Sequence, residues 1–188
     1  MPSATKKAIV ASFLQLIGKK PFDKITVRDI VDDCAINRNT FYYYYQDIYA
    51  VLEEICQVAI ATVPENAALA DTLCSFFSTM VGFTKKYPRA ARGLALSFGV
   101  EGMERFFGKE LDRLILACIE RDLAERLTSD GQKHTLSIFL RHAVSGFCIT
   151  MMRDQKKSDP EATCAELFAV LRILLDDARK EKDQGEEI

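Results

Sequence analysis

Little in this chain interrupts a helix. Only nine glycines and five prolines are spread over 188 residues. Long runs rich in Ala, Leu, Glu, Lys and Arg therefore stay unbroken, which favours helix almost throughout. Reactive groups are scarce too. The two histidines, His134 and His142, have no acidic partner at ligand spacing, which speaks against a metal site. There is no glycine-rich phosphate loop, nucleophile elbow or paired catalytic carboxylate, so neither an enzyme nor a cofactor is expected. The six cysteines, at 34, 56, 74, 118, 148 and 164, form no C-x-x-C and no Cys/His metal pattern. They read as small buried hydrophobes in a reducing compartment. No apolar run approaches the roughly 18 residues of a membrane span. Ser12 and Gln15 interrupt the apolar stretch behind Lys6 and Lys7. A signal peptide is therefore rejected, and a cytosolic protein is expected.

What is present is hydrophobic residue at 48%, enough to bury a core. The net charge of −2 by itself argues against a nucleic-acid binder, but its distribution does not. Residues 1–50 hold seven Lys/Arg against five Asp, a balance of +2, which leaves −4 for the remainder. A modestly basic N-terminal piece on an acidic body suits a local contact with DNA.

The stretch Thr26–Tyr45, TVRDIVDDCAINRNTFYYYY, reads as two short helices and a tight turn. Thr26 is a good N-cap with Asp29 three residues on, close to a capping box. Val27, Ile30 and Val31 recur at the spacing of an apolar helix face. The first helix ends near Cys34 and Ala35, and Asn37 caps a second that starts at Arg38. Arg38, Asn39, Thr40, Tyr42 and Tyr43 then lie on its early turns. Such side chains hydrogen-bond base edges, touch a thymine methyl or reach phosphates. Phe41 and Tyr44 share a face, assigned to the core with Val27 and Ile30, while Tyr45 stands at even odds between the two roles. A helix-turn-helix places its second helix in the major groove.

These residues carry a resemblance. Thr26–Leu52 resembles the DNA-binding signature of the TetR family of bacterial transcriptional regulators. Arg38 and Thr40-Phe41-Tyr42-x-Tyr44 match its recognition helix, and Asp47-Ile48-Tyr49-Ala50-Val51-Leu52 matches the start of its fourth helix. The short, tyrosine-rich form is similar to the group containing the dihydroxyacetone kinase operon regulators. The chain departs from the pattern at Ile48, where a phosphate-binding lysine is usual, at Asn39 for the common glycine, and at Tyr43 for a frequent histidine. The resemblance implies that Lys6, Lys7 and Arg28 reach phosphates alongside Thr26 and Asn37.

The rest continues in helices: about 3–17 at the start, then 48–62, 69–87, 89–98, 101–127, 132–153 and 160–182. Gly18 is expected to stop the first, and Phe22 and Ile25 to plug the space behind it. With the two short ones this makes about nine. An all-α fold is expected: a three-helix DNA-binding module over residues 1–50 and a helical effector-binding and dimerisation domain over 51–188, joined inside the helix of 48–62. A helix-turn-helix reads one half-site, so a second copy roughly 34 Å away is the geometric norm. The last two helices are the candidate dimer surface, through Phe139, Ala143, Gly146, Phe147, Leu167, Leu171 and Leu174, with Ser145 another small residue there. They read equally as core, since each stripe is amphipathic. Phe76, Phe77, Met80, Phe83, Phe98, Met103, Phe106 and Phe107 form an aromatic and Met-rich set that is either plain core or, by the resemblance, a pocket for a small-molecule effector. The expected function is a dimeric repressor released from its operator by that effector. The rival is a helical protein-interaction module with a degenerate DNA-binding domain.

Overall fold

A computed structural model describes residues 4–64, 67–154, 159, 161–170 and 173. Every regular element among them is helical. Helix α1 spans Ala4–Ile17 and buries Ile9, Phe13 and Ile17, one face at i, i+4, i+8. Gly18 follows and the helix ends there, as expected, without a positive φ. It is also a point of close approach: a Cβ there would lie 2.8 Å from the Cβ of Arg89. Pro21 then leads into a single 3₁₀ turn, Phe22–Lys24.

Helices α2 (Val27–Asp33) and α3 (Arg38–Tyr44) follow. The turn between them closes as a Schellman motif. Ile36 N–H donates to the Val31 carbonyl at 3.0 Å and Ala35 N–H to that of Asp32 at 3.4 Å. Ala35 sits at φ 52°, a left-handed conformation that costs an L-residue about 1–2 kcal/mol. Asp47 caps α4 (Ile48–Ile60), accepting from Ala50 N–H at 2.9 Å.

Helix α5 spans Leu69–Lys86 and α6 spans Pro88–Asp122. Pro88 opens α6 at the position where its missing N–H costs nothing. Within α6, Gly99 adopts φ 57°, ψ −154°, which breaks the helix where the expected stop between 98 and 101 lay. Glycine alone adopts this conformation freely. The break brings Phe98 onto Gly102, where a Cβ would meet that of Phe98 at 2.1 Å. Helix α7, Asp130–Arg153, starts two residues earlier than expected. Ser129 caps it, and Gln132 reaches back to the Ser129 N–H in a full capping box. Residues 161–170 form α8; the remainder of the expected last helix lies outside the described residues.

Helices α6 and α7 pack along each other and, with α5, form the body. Its centre is Phe76, Leu111, Ile115, Cys118, Ile119 and Cys148, each almost fully buried. By length and a mean hydropathy of 1.3 alone, α7 is long and apolar enough to cross a membrane, a test that a core helix also passes. It nevertheless carries Arg141, paired with Asp112 at 3.2 Å, and packs on α6. The N-terminal module sits on the first half of α6. A Cβ at Gly93 would be 2.0 Å from the Ile17 carbonyl oxygen, so the two helices touch backbone to backbone. Phe22 N–H donates to Ser97 Oγ at 3.2 Å, and the Phe22 ring meets Phe13, Tyr49 and Phe98.

Candidate nucleic-acid interface

The recognition helix is fixed from behind and presented in front. Phe41 is fully buried and Ile30 with it. Asn37 Oδ1 accepts from the Thr40 N–H at 2.8 Å and the Thr40 hydroxyl at 3.0 Å, satisfying orphan donors of the first turn. Arg38, Asn39, Tyr42 and Tyr43 are exposed, Tyr42 by 54% and Tyr43 by 81%. Tyr42 stands edge-on to Phe41 and Tyr43 edge-on to Tyr44, so both are positioned rather than loose. Tyr44 is half-buried against the core. Tyr45 turns inward and is 4% exposed. Burial, then the nearby Glu54 carboxylate, pushes its phenol upward. Tyr45 therefore belongs to the support of the helix.

Helix α2 is pinned by a denser cap. Asp29 Oδ2 accepts from Thr26 N–H at 2.7 Å, from the Thr26 hydroxyl at 2.6 Å and from Lys20 Nζ at 2.8 Å. Lys20 first, then Thr26, holds the Asp29 carboxyl down at about 2. The Thr26 hydroxyl is thus used within the cap. Arg28 is exposed and only loosely paired with Asp32 at 3.5 Å. Lys6, expected at a phosphate, pairs its ammonium here with Glu54 of α4 at 2.5 Å and lies 5.5 Å from the Tyr45 ring centre. Lys7 is placed beside it, at the rim of a cavity.

That cavity, of about 630 Å³, lies between the module and the body. Of the eight residues in the aromatic and Met-rich set, Met80, Phe83, Phe98, Met103, Phe106 and Phe107 line it. Phe76 and Phe77 do not. Phe76 packs on Phe107 and Phe77 on Phe147 and Phe168, inside the body. Most of the lining was missed, including Val10, Ala11 and Leu14 of α1 and Leu52, Ile55 and Val58 of α4.

On α7, Phe139 is 66% exposed and Ala143 and Thr150 are exposed. Gly146 has open space where a Cβ would stand. These positions share one face. Phe147 and Ser145 do not belong to it: Phe147 stands edge-on to Phe77, ring centres 5.1 Å apart, and Ser145 is fully buried in its own chain. Leu167 packs half-buried on the core, while Leu171 and Leu174 lie outside the described residues. The thiols of Cys56 and Cys164 are pushed up by burial, to about 12 and about 11, so they carry no thiolate at neutral pH. Among the described residues no His/Cys/Asp/Glu cluster is placed to hold a metal.

Residues 9–55 match the family described as bacterial regulatory proteins, tetR family. The chain carries a TetR-family DNA-binding domain. No curated protein matches the chain. Solved structures extend the likeness to the TetR-family fold as a whole. The dihydroxyacetone kinase operon activator DhaS is 18% identical with a TM-score of 0.65, over 92% of this chain and 97% of that one. The fatty acid degradation regulator FadR from Bacillus halodurans is 13% identical with a TM-score of 0.63, over 91% and 96%. A TetR transcriptional regulator from Streptococcus agalactiae is 19% identical with a TM-score of 0.59, over 89% and 92%. The matched segment holds the helix-turn-helix of α2 and α3, and over about nine-tenths of its length the chain shares the fold of these solved structures.

Proposed function

We propose that this protein is a cytoplasmic, homodimeric transcriptional repressor, not an enzyme, and that it leaves its operator when a small-molecule effector fills the cavity. One observation carries the DNA-binding part: α3 buries Phe41 behind and holds Arg38, Asn39, Tyr42 and Tyr43 out in front. Asn39 reads adenine bidentately, and the tyrosine hydroxyls and Arg38 reach bases and phosphates. Thr40 contributes its methyl, while Thr26, Arg28, Asn37 and Lys7 lie to the flanks. The part that binds DNA is 1–50 and the part that binds effector and partner is 51–188, with α4 crossing between them. The partner is a second copy, held through the α7 face of Phe139, Ala143 and Gly146 with α8, so that two α3 helices lie one DNA turn apart. Ile48 supplies no backbone anchor, so more of the affinity rests on α3.

The test is anisotropy of duplex fragments selected from the host genome. Thr40→Ala and Tyr42→Ala abolish operator binding while the helical circular dichroism is unchanged. Wild-type affinity falls steeply with salt. Retained binding by both variants refutes the assigned helix, and salt-insensitive complexes with protein but not DNA favour the interaction-module reading. A reporter behind the operator reads the sign: deletion of the gene raises expression from it.

A further inference from the structure

The cavity is not walled by the body alone. Helix α1 of the DNA-binding module forms one side of it, opposite α5 and α6. Its interior and its rim differ in chemistry. Met103, Phe107, Ile149 and Met152 are buried and make an apolar floor. At the rim stand Lys6, Lys7 and Lys86, and the one carboxylate among the lining residues is Glu54, which is paired with Lys6. The rim thus holds a surplus of positive charge over a hydrocarbon interior. About 630 Å³ falls within the roughly 300–1,000 Å³ of ordinary ligand pockets.

We propose that this cavity binds an apolar carboxylate: a hydrocarbon chain laid on the Phe and Met floor, with its single anionic head at the three lysines. This rests on the reading of the protein as an effector-controlled regulator and names the effector's chemical class. A neutral hydrocarbon leaves the lysines unused, and a cationic one is repelled by them. The head group also has a route to the DNA-binding surface. Lys6 touches Glu54 on α4 and lies by the ring of Tyr45, the C-cap of the recognition helix. A carboxylate arriving at the rim competes with Glu54 for Lys6, and exchange of that pair loosens the tie between α1 and α4. The ligand then favours one placement of the module over the other, which any effector must do to shift the equilibrium.

Full-length protein is titrated calorimetrically with sodium dodecanoate, dodecanol and dodecyltrimethylammonium. Dodecanoate binds once per chain and at least about ten-fold more tightly than the cation. Lys86→Met and Lys7→Met each weaken dodecanoate by about ten-fold, the size of one charge-assisted contact, and leave dodecanol unchanged. Met103→Trp fills the floor and weakens both. Equal binding of the two ionic probes, or dodecanoate binding indifferent to both lysines, overturns the assignment. DNA binding is read in parallel. Dodecanoate that binds as described without weakening the DNA complex keeps the ligand class and removes the effector role. DNA binding with no uptake of dodecanoate removes the ligand class alone.

Discussion

Asp29 is the place to perturb the DNA-binding module without touching its DNA-facing side chains. Asp29→Asn keeps the size of the side chain and removes the charge that accepts from Lys20 and both donors of Thr26. A reciprocal N-cap contributes about 1 kcal/mol, and a partly exposed ion pair adds roughly 0.5. The variant therefore loses about 1–2 kcal/mol at neutral pH. The carboxyl sits at about 2 in the folded chain against 3.8 ordinarily. A lowered folded value means stability present above the unfolded value and lost as pH falls from 3.8 towards 2. Urea unfolding followed by helical circular dichroism measures both quantities for wild type and variant. The gap between them is largest at neutral pH, narrows across that acid window, and shrinks in high salt by the Lys20 share. Lys20→Met should reproduce only that smaller share, and its carboxyl titration by NMR should move upward. Equal unfolding of wild type and Asp29→Asn at neutral pH, or a gap that persists undiminished in acid, refutes the reasoning.

Three further changes test other parts. Ala35→Gly relieves the left-handed alanine of the turn and stabilises the protein by about 0.5–1 kcal/mol, seen as a higher urea midpoint. Phe139→Glu puts a charge on the exposed face of α7; if the proposed pairing runs through this face, analytical ultracentrifugation shows a dimer for wild type and a monomer for the variant, and operator affinity falls with it. Gly93→Ala drives a methyl into the Ile17 carbonyl; α1 must shift from α6, costing about 1–3 kcal/mol in unfolding.

The caps were the most legible features, because they depend only on residues a few places apart. Asn37 and Asp47 each accept from the third N–H on, and Thr26 pairs with Asp29, as their spacing requires. The interruption at Gly99 was visible for the same reason. Tyr45 was not readable, since helical periodicity stops at Tyr44. The backbone turns extended at Tyr45, φ −141° and ψ 134°, and carries the ring inward. Phe76 and Phe77 were grouped with the cavity because helix spacing identifies an apolar side but not which neighbour covers it; α5 meets both α6 and α7. The aliphatic side of the cavity and the Lys6–Glu54 pair arise only when α1 and α4 come together, 48 positions apart in sequence for that pair. The helix-turn-helix itself was legible because its chemistry is contiguous.

The interruption at Gly99 has a mechanical corollary. The segment ahead of it, 88–98, grips the N-terminal module through Gly93 and Ser97, while α4 holds the same module by continuous chain. An object fastened at two places swings about the line through them and not freely. A displacement of Phe98 or Gly102 at the cavity wall would therefore be passed to α3 along a restricted path, and in the proposed symmetric pair it would change the separation of the two helices along a single coordinate.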